Sequence, residues 1–293
     1  MKLEEILKNT IKEGYAVGSF SPRYLAVIRP VLEAAAKTKS PVIVQISQKE
    51  LGLYGCTPKQ FADEYRRQCK LLNISVPCTL HLDHTKTETL IHEAIDAGFE
   101  SVMIDASEKE FEENIEISRR LTAYAHNKGV SVEAELGRIG ANDCIETDGD
   151  DSESYTKPDE AKEFAERTGV DALAVSVGTA HGVYNVRKPA VQFDIIRQIK
   201  KLTPVYLVLH GGSGVPPEMV EQSYRMAGGG ISKVNIATDL ELAFLEATGN
   251  DKRLTNKDLE TMSSELLEKG LNAVRSLVED RIKYYLHSDG KAW

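Results

Sequence analysis

The chain has 293 residues, of which 41% are hydrophobic and 28% charged, and its formal net charge is -9. The length allows one large domain or two small ones, and the acidic balance, without a long basic run, argues against nucleic acid or anionic membrane as a partner. The N-terminus lacks the apolar core of a signal peptide and no apolar run approaches the roughly 20 residues that span a bilayer, so we expect a cytoplasmic protein.

Eight short apolar runs are predicted to be strands. They are rich in Val, Ile and Leu, which is typical of strands that are buried on both faces. In chain order the runs are residues 15–20, 41–47, 77–83, 100–105, 130–135, 171–177, 204–210 and 232–236.

Helical patterns separate most of these runs. The clearest are residues 25–37, 58–73, 88–97, 109–127 and 158–168, and three of them end beside a glycine that favours helix termination. Repeated strand–helix alternation predicts an α/β fold, a (β/α)8 TIM barrel, with residues 1–293 as a single domain. A doubly wound open sheet is the competing architecture, but no G-x-G-x-x-G follows the first strand.

Two segments depart from the plain repeat. Residues 137–157 are polar and acidic, and we expect them to form a mobile loop after the fifth strand. Residues 256–286 carry a long helical stripe, which predicts an extended C-terminal helix packed on the barrel or on another subunit. We therefore expect a homodimer or homotetramer.

Three histidines stand at the carboxyl ends of three predicted strands or in the turns after them. They are His84, His181 and His210, and Asp83 precedes the first of them. The carboxyl ends of barrel strands meet at one mouth, so we expect the three imidazoles to converge there. Three histidines with one open position are the usual ligands of a catalytic zinc ion.

Glycine-rich turns after the last two strands form a second signal. Gly211, Gly212 and Ser213 follow the seventh strand, and residues 235–238 follow the eighth and precede a helix. Loops at these places commonly bind phosphate through backbone N–H groups. A Lewis-acid metal beside a phosphate site would polarise a phosphorylated carbonyl compound and stabilise an enediolate, while Asp83 moved a proton on a neighbouring hydroxyl. These parts indicate a reversible aldol reaction, and a metal-dependent isomerase would share most of them.

Six blocks of the sequence carry a family resemblance. They are LHLDH (80–84), AIDAGFESVMIDAS (94–107), VEAELGRIG (132–140), DALAVSVGTAHGVY (171–184), LVLHGGSGVP (207–216) and KVNIATDL (233–240). In these blocks the chain resembles the class II, metal-dependent fructose/tagatose-bisphosphate aldolases. Ala237 after Asn235-Ile236 is more similar to the tagatose-bisphosphate and related ketose-bisphosphate branch.

The resemblance implies a role for each matching position. His84, His181 and His210 would bind one catalytic zinc ion per subunit, and Glu135 would approach the metal when substrate is absent. Asp83 would be the proton donor and acceptor at the C4 hydroxyl, and Asn235 would also steady the enediolate. Dihydroxyacetone phosphate, with a sodium or potassium ion nearby, would be held by Gly182, Gly211, Gly212, Ser213, Asn235, Ile236, Ala237 and Thr238.

The chain also departs from the family pattern. Thr85 follows Asp83-His84 where a second histidine is usual, and Asp143 falls where relatives carry a glutamate base, with Glu146 as a possible substitute. Residues 19–21 and the loop at 47–50 also differ. The resemblance would place these two segments towards the aldehyde end of the site, where Ser47 would contact substrate.

We hypothesise that Lys49 or Lys86 contacts an anionic group at the aldehyde end of the site.

The leading interpretation is an enzyme of carbohydrate metabolism, such as glycolysis, that cleaves a ketose 1,6-bisphosphate to dihydroxyacetone phosphate and an aldehyde such as glyceraldehyde 3-phosphate. One alternative is the same chemistry with a sugar-acid or semialdehyde product. The other is a non-catalytic paralogue that binds a phosphorylated sugar.

Overall fold

Eight parallel strands form a closed barrel in which each strand pairs with the next and the eighth pairs with the first. This computed structural model describes residues 1–137, 155–182 and 189–293. It confirms the predicted TIM barrel. The strands are β1 (Val17–Phe20), β2 (Val42–Ser47), β3 (Cys78–Thr85), β4 (Ser101–Ile104), β5 (Ser131–Leu136), β6 (Ala172–Val175), β7 (Tyr206–Leu209) and β8 (Ile231–Ile236).

Helices surround the barrel, and the apolar faces of the strands divide the core into two layers. The larger layer lies between the sheet and the surrounding helices. The helices are α1 (Leu3–Leu7), α2 (Thr10–Glu13), α3 (Ile28–Thr38), α4 (Gln48–Tyr54), α5 (Pro58–Leu71), α6 (Glu88–Asp96), α7 (Phe111–Asn127), α8 (Pro158–Thr168), α9 (Phe193–Leu202), α10 (Pro217–Tyr224), α11 (Thr238–Thr248), α12 (Asn256–Thr261) and α13 (Ser264–Asp280).

The smaller layer fills the barrel interior. Leu3, Ile6 and Leu7 of α1 pack there against inward-facing strand residues such as Val17 and Val208. The backbone N–H of Leu3 also donates to Ser131 Oγ at 2.9 Å. Because α1 closes the amino end of the barrel, the carboxyl ends of the strands are left to form the open mouth.

The segment after β2 is a helix rather than a loop. Ser47 Oγ accepts a hydrogen bond from the N–H of Glu50, and the Glu50 carboxylate accepts one from the N–H of Ser47. This reciprocal cap starts α4, and the helix ends at Gly55 in the left-handed conformation. The sequence analysis missed the helix because it is short and lies directly against the strand.

The extended C-terminal helix predicted over residues 256–286 is present over residues 264–285, but a break separates it from the short helix α12. Met262 is extended, with φ -70° and ψ 142°, and it separates α12 from α13. Ser263 then caps α13 by accepting from the N–H of Leu266, and a π-helical turn, Arg281–Tyr285, follows. The apolar stripe of α13 packs against α3 and α11, which are helices of the same chain.

The described parts of the chain contain no helix that is both long and apolar enough to cross a membrane. Most of the polar segment predicted as a loop after β5 lies outside the described residues, and so do Asp143 and Glu146.

Candidate active site

A cavity of about 890 Å³ opens at the carboxyl ends of the strands. The proposed acid/base Asp83, the proposed metal ligands His84, His181 and Glu135, and Ser47 line it. So do six of the residues proposed to hold phosphate: Gly182, Gly211, Ser213, Asn235, Ala237 and Thr238. His210 is fully buried behind this surface. Gly212, in the turn after β7, and Ile236, the last residue of β8, do not line the cavity.

The three predicted histidines meet at this mouth. His84 Nε2 lies 3.1 Å from His181 Nε2, and the ring centroids of His84 and His210 are 4.4 Å apart. One ligand atom from each residue lies within 4.8 Å of the other two. The expectation that three separate strand ends converge on one point is thus met by the geometry.

The hydrogen bonds of these rings suit a metal site. His84 Nδ1 donates to Asp105 Oδ2 at 3.0 Å, which leaves Nε2 as the lone-pair atom that faces the cluster. His210 Nε2 donates to Glu133 Oε1 at 2.8 Å, which leaves the buried Nδ1 without a hydrogen-bond partner among the described residues. Carboxylates that fix the tautomer in this way are usual behind metal-binding histidines. Zinc takes ligand nitrogens at about 2.0–2.1 Å, so the 3.1 Å between His84 Nε2 and His181 Nε2 fits binding of one ion by both rings.

The charges around the cluster also favour a cation. Burial lowers the pKa of His84, but the carboxylates of Asp83, Asp105 and Glu135 outweigh burial and raise that pKa to about 10. Glu135 Oε2 lies 3.8 Å from His84 Nδ1 and 3.5 Å from His210 Nδ1. The carboxylates therefore stabilise positive charge between the imidazole rings, and a divalent cation can supply that charge.

Asp83 is held between two amide side chains. Gln45 Nε2 donates to its Oδ2 at 3.0 Å, and Asn235 Nδ2 donates to its Oδ1 at 3.1 Å. Burial raises the pKa of Asp83, but the neighbouring His84 and His81 and the Lys233 ammonium bring it well below its usual value. The side chain is thus an oriented carboxylate on the cavity wall, able to accept a proton.

Beneath the metal site lies a buried ion pair. Lys233 Nζ is 2.7 Å from Glu133 Oε2, and both side chains are fully buried. The same carboxylate orients His210 through its other oxygen. Glu133 thus supports the histidine cluster through its hydrogen bond with His210.

The turns after β7 and β8 are joined by hydrogen bonds. Ser213 Oγ accepts from the N–H groups of Ala237 and Asp239, both at 3.3 Å, at the start of α11. Gly211 has a φ of +65°, and a Cβ there would lie 2.2 Å from the carbonyl oxygen of Ala180. Only glycine allows this close approach of two backbones, so the turn geometry depends on it.

Sequence reasoning missed four residues that the structure places in or beside the site. Asp105 is the last residue of its predicted apolar run, as Asp83 is, and that position was a usable signal. Gln45 faces the barrel interior from β2, and nothing in its local pattern indicated a role. Arg23 and Arg253 line the cavity from segments that looked like ordinary loops.

Known proteins resemble the chain over its whole length. A sequence model of the family "Fructose-bisphosphate aldolase class-II" matches residues 1–291. A fructose-bisphosphate aldolase of Geobacillus stearothermophilus is 36% identical, with 100% of this chain and 98% of that protein covered. A sulfofructosephosphate aldolase of Alkalicoccus urumqiensis is 38% identical, with 98% and 96% covered.

A solved structure agrees with these sequence matches. The crystal structure of the YdjI aldolase from Escherichia coli K12 superimposes with a TM-score of 0.83 at 30% identity, and 100% of this chain and 99% of that chain are covered. The chain belongs to the metal-dependent class II fructose-bisphosphate aldolase family and is an aldolase, a lyase.

Proposed function

We propose that the chain cleaves a ketose 1,6-bisphosphate of the fructose or tagatose type to dihydroxyacetone phosphate and an aldehyde such as glyceraldehyde 3-phosphate. The observation that carries the proposal is the convergence of His84, His181 and His210 beside an oriented Asp83. The glycine-rich turns after β7 and β8 line the same cavity and offer backbone N–H groups to a phosphate.

We assign the metal as one zinc ion per subunit. His84 Nε2, His181 Nε2 and His210 Nδ1 would hold it, and Glu135 would approach it in the absence of substrate. When bound, the ion supplies a Lewis acid that polarises the substrate carbonyl.

The chain's own groups account for binding and proton transfer. In cleavage, the Asp83 carboxylate accepts the C4 hydroxyl proton as the C3–C4 bond breaks, and Gln45 and Asn235 keep it aimed. The carbon that keeps the bonding electrons then takes a proton from Asp143, or from Glu146, both outside the described residues. In synthesis the same groups act in reverse.

The phosphate of the dihydroxyacetone half would lie against the two turns. Gly182, Gly211, Gly212 and Ser213 supply one side. Asn235, Ile236, Ala237 and Thr238 supply the other. Ser213 ties the two sides together through the N–H groups at the start of α11. A sodium or potassium ion beside the phosphate is proposed from the family resemblance, and a dependence of the Michaelis constant on that ion would test it.

The test is cleavage of fructose and tagatose 1,6-bisphosphates by the purified protein, before EDTA, after EDTA and after zinc is restored. Release of triose phosphate that EDTA abolishes and zinc restores supports the proposal, and the rates with the two sugars rank them as substrates.

The similarity to a sulfofructosephosphate aldolase favours a second candidate, the same reaction with another aldehyde. Bound zinc without cleavage of either sugar would point to that candidate.

We also propose that residues 1–293 form one domain and that the chain acts as a homodimer or homotetramer in cytoplasmic carbohydrate metabolism such as glycolysis. Sedimentation velocity tests the assembly directly.

A further inference from the structure

The π-helical turn at Arg281–Tyr285 contacts both of the turns that are proposed to bind phosphate. It follows α13 directly, and the N–H of Leu286 donates to the carbonyl oxygen of Arg281 at 2.9 Å. π-Helical turns are rare and are frequently found at functional sites. This one is anchored on the barrel, because Leu286 is fully buried and its carbonyl oxygen accepts from the N–H of Ala16 at 3.2 Å.

Tyr285 holds the backbone of the turn after β7. Its buried hydroxyl donates to the carbonyl oxygen of Gly212 and, at 3.1 Å, to that of Val215. These two carbonyls flank Ser213, which lines the cavity, whereas Tyr285 does not line it. One hydroxyl therefore fixes both ends of the segment that is proposed to face the phosphate.

The carbonyl of Gly212 also sets the direction of an N–H group. The peptide between Gly212 and Ser213 is planar and trans, so its C=O and its N–H point in opposite directions. Because the C=O is directed at the Tyr285 hydroxyl, the Ser213 N–H is directed away from it. That N–H donates to no acceptor among the residues that the structure describes, so it can bind an anion.

Arg281 holds the turn after β8. Its Nε and Nη2 both donate to Asp239 Oδ2, at 3.0 and 2.9 Å, and the Asp239 N–H donates to Ser213 Oγ at 3.3 Å. Asp239 lies in the first turn of α11, whose N-terminal N–H groups are proposed to bind the phosphate. The Arg281 guanidinium also lies over the Tyr285 ring, 5.3 Å from its centroid, so the two side chains support each other.

We propose that Tyr285 and Arg281 are positioning residues for phosphate binding, because the π-helical turn that carries them fixes the turns after β7 and β8 relative to each other. Neither side chain lines the cavity, so each acts through the backbone that it holds. The inference rests on the proposed function and deepens it, since the ligand is the phosphate of dihydroxyacetone phosphate.

The test measures the Kd of dihydroxyacetone phosphate for the zinc-loaded full chain by calorimetry, and the KM and kcat for cleavage of the better bisphosphate substrate. Tyr285→Phe removes only the hydroxyl and keeps the ring beside Arg281. Tyr284→Phe is the matched control, because it is the same substitution on a neighbouring side chain that is 68% exposed. Arg281→Met removes the ion pair with Asp239, and Arg281→Lys keeps the charge.

Loss of the buried hydrogen bonds in Tyr285→Phe should raise the Kd and the KM about three- to tenfold. The kcat should change by less than about twofold, since the phosphate is held equally in the ground state and the transition state. The control should match the wild type. An unchanged Kd in Tyr285→Phe, or a fall in kcat without a change in KM, would overturn the role of Tyr285.

The two arginine variants test the other half of the inference. Arg281→Met should also raise the Kd, and Arg281→Lys should recover part of the loss because an ammonium can still pair with Asp239. A Kd that stays at the wild-type value in Arg281→Met would overturn the role of Arg281.

A double variant separates positioning from a general loss of stability. A purely structural role would lower the unfolding temperature and leave the Kd of the folded protein unchanged. Tyr285→Phe and Ser213→Ala alter the same pair of turns, so the double variant should bind only about as weakly as the weaker single variant. Losses in affinity that multiply would contradict action through the same turns.

Failure of this inference is distinct from failure of the proposed function. Wild-type binding of dihydroxyacetone phosphate, with the same Kd in Tyr285→Phe and Arg281→Met, overturns the role of the π-helical turn alone. If the zinc-loaded wild-type chain does not bind dihydroxyacetone phosphate, the proposed function falls and this inference falls with it.

Discussion

The buried pair of Lys233 and Glu133 gives the most specific prediction about stability. Both side chains are fully buried at 2.7 Å, so Lys233→Met leaves the carboxylate without its ammonium partner in a site that water does not reach. Breaking such a pair by removing one partner costs about 3–5 kcal/mol. We expect the free energy of unfolding of the metal-free protein to fall by about that amount.

Removing both charges should cost much less. Lys233→Met combined with Glu133→Gln leaves no buried ion, and replacement of a whole buried pair is often close to neutral. The double variant should still bind metal more weakly, because Glu133 orients His210 at 2.8 Å. Loss of such a supporting carboxylate typically costs about 10–100-fold in metal affinity.

Urea unfolding of the EDTA-treated proteins measures the first effect, and chelator competition measures the second. Lys37→Met is the control, since Lys37 pairs with Glu279 and its side chain is 65% exposed, and exposed pairs contribute about 0–1 kcal/mol. The reasoning is refuted if Lys233→Met unfolds like the control, or if the double variant is as unstable as Lys233→Met alone.

Three further predictions concern single residues. Asp83→Asn should lower turnover about 10²–10⁴-fold while zinc content is kept, measured by coupled assay and metal analysis, and near-normal turnover would remove Asp83 from the mechanism. Ser213→Ala should weaken binding of dihydroxyacetone phosphate about tenfold by loosening the two turns, measured by calorimetry, and unchanged affinity would contradict that role. Burial lowers the pKa of Lys200 to about 8 from 10.5; the unfolded chain then binds this proton more tightly, so stability should rise as pH increases from about 8 to 10.5. Lys200→Met should abolish that rise, and a rise of the same size in this variant would argue against it.

The sequence was sufficient to predict the barrel and the convergence of the three histidines at one mouth of it. Strands buried on both faces leave near-continuous apolar runs, and the carboxyl ends of parallel strands in a barrel share one mouth. His84 and His210 could thus be brought together without knowing any side-chain conformation. The same reasoning would have found Asp105, which is the last residue of its predicted apolar run as Asp83 is.

Other features depended on tertiary packing. Arg253 reaches the cavity because Glu241 holds it there, and no local pattern indicates a pairing between a loop and a helix. The break at Met262 lies within a continuous apolar stripe, and only the Ser263 cap reveals it. The helical periodicity of apolar residues predicts which face of a helix is buried. It does not predict where the helix breaks.

The most direct test of the central claim, a metal-dependent aldolase site, is deuterium exchange at the hydroxymethyl carbon of dihydroxyacetone phosphate, followed by NMR. We expect the zinc-loaded chain to exchange one hydrogen, EDTA to abolish the exchange and zinc to restore it. No exchange by protein that holds zinc at His84, His181 and His210, or exchange that EDTA leaves unchanged, would contradict the account.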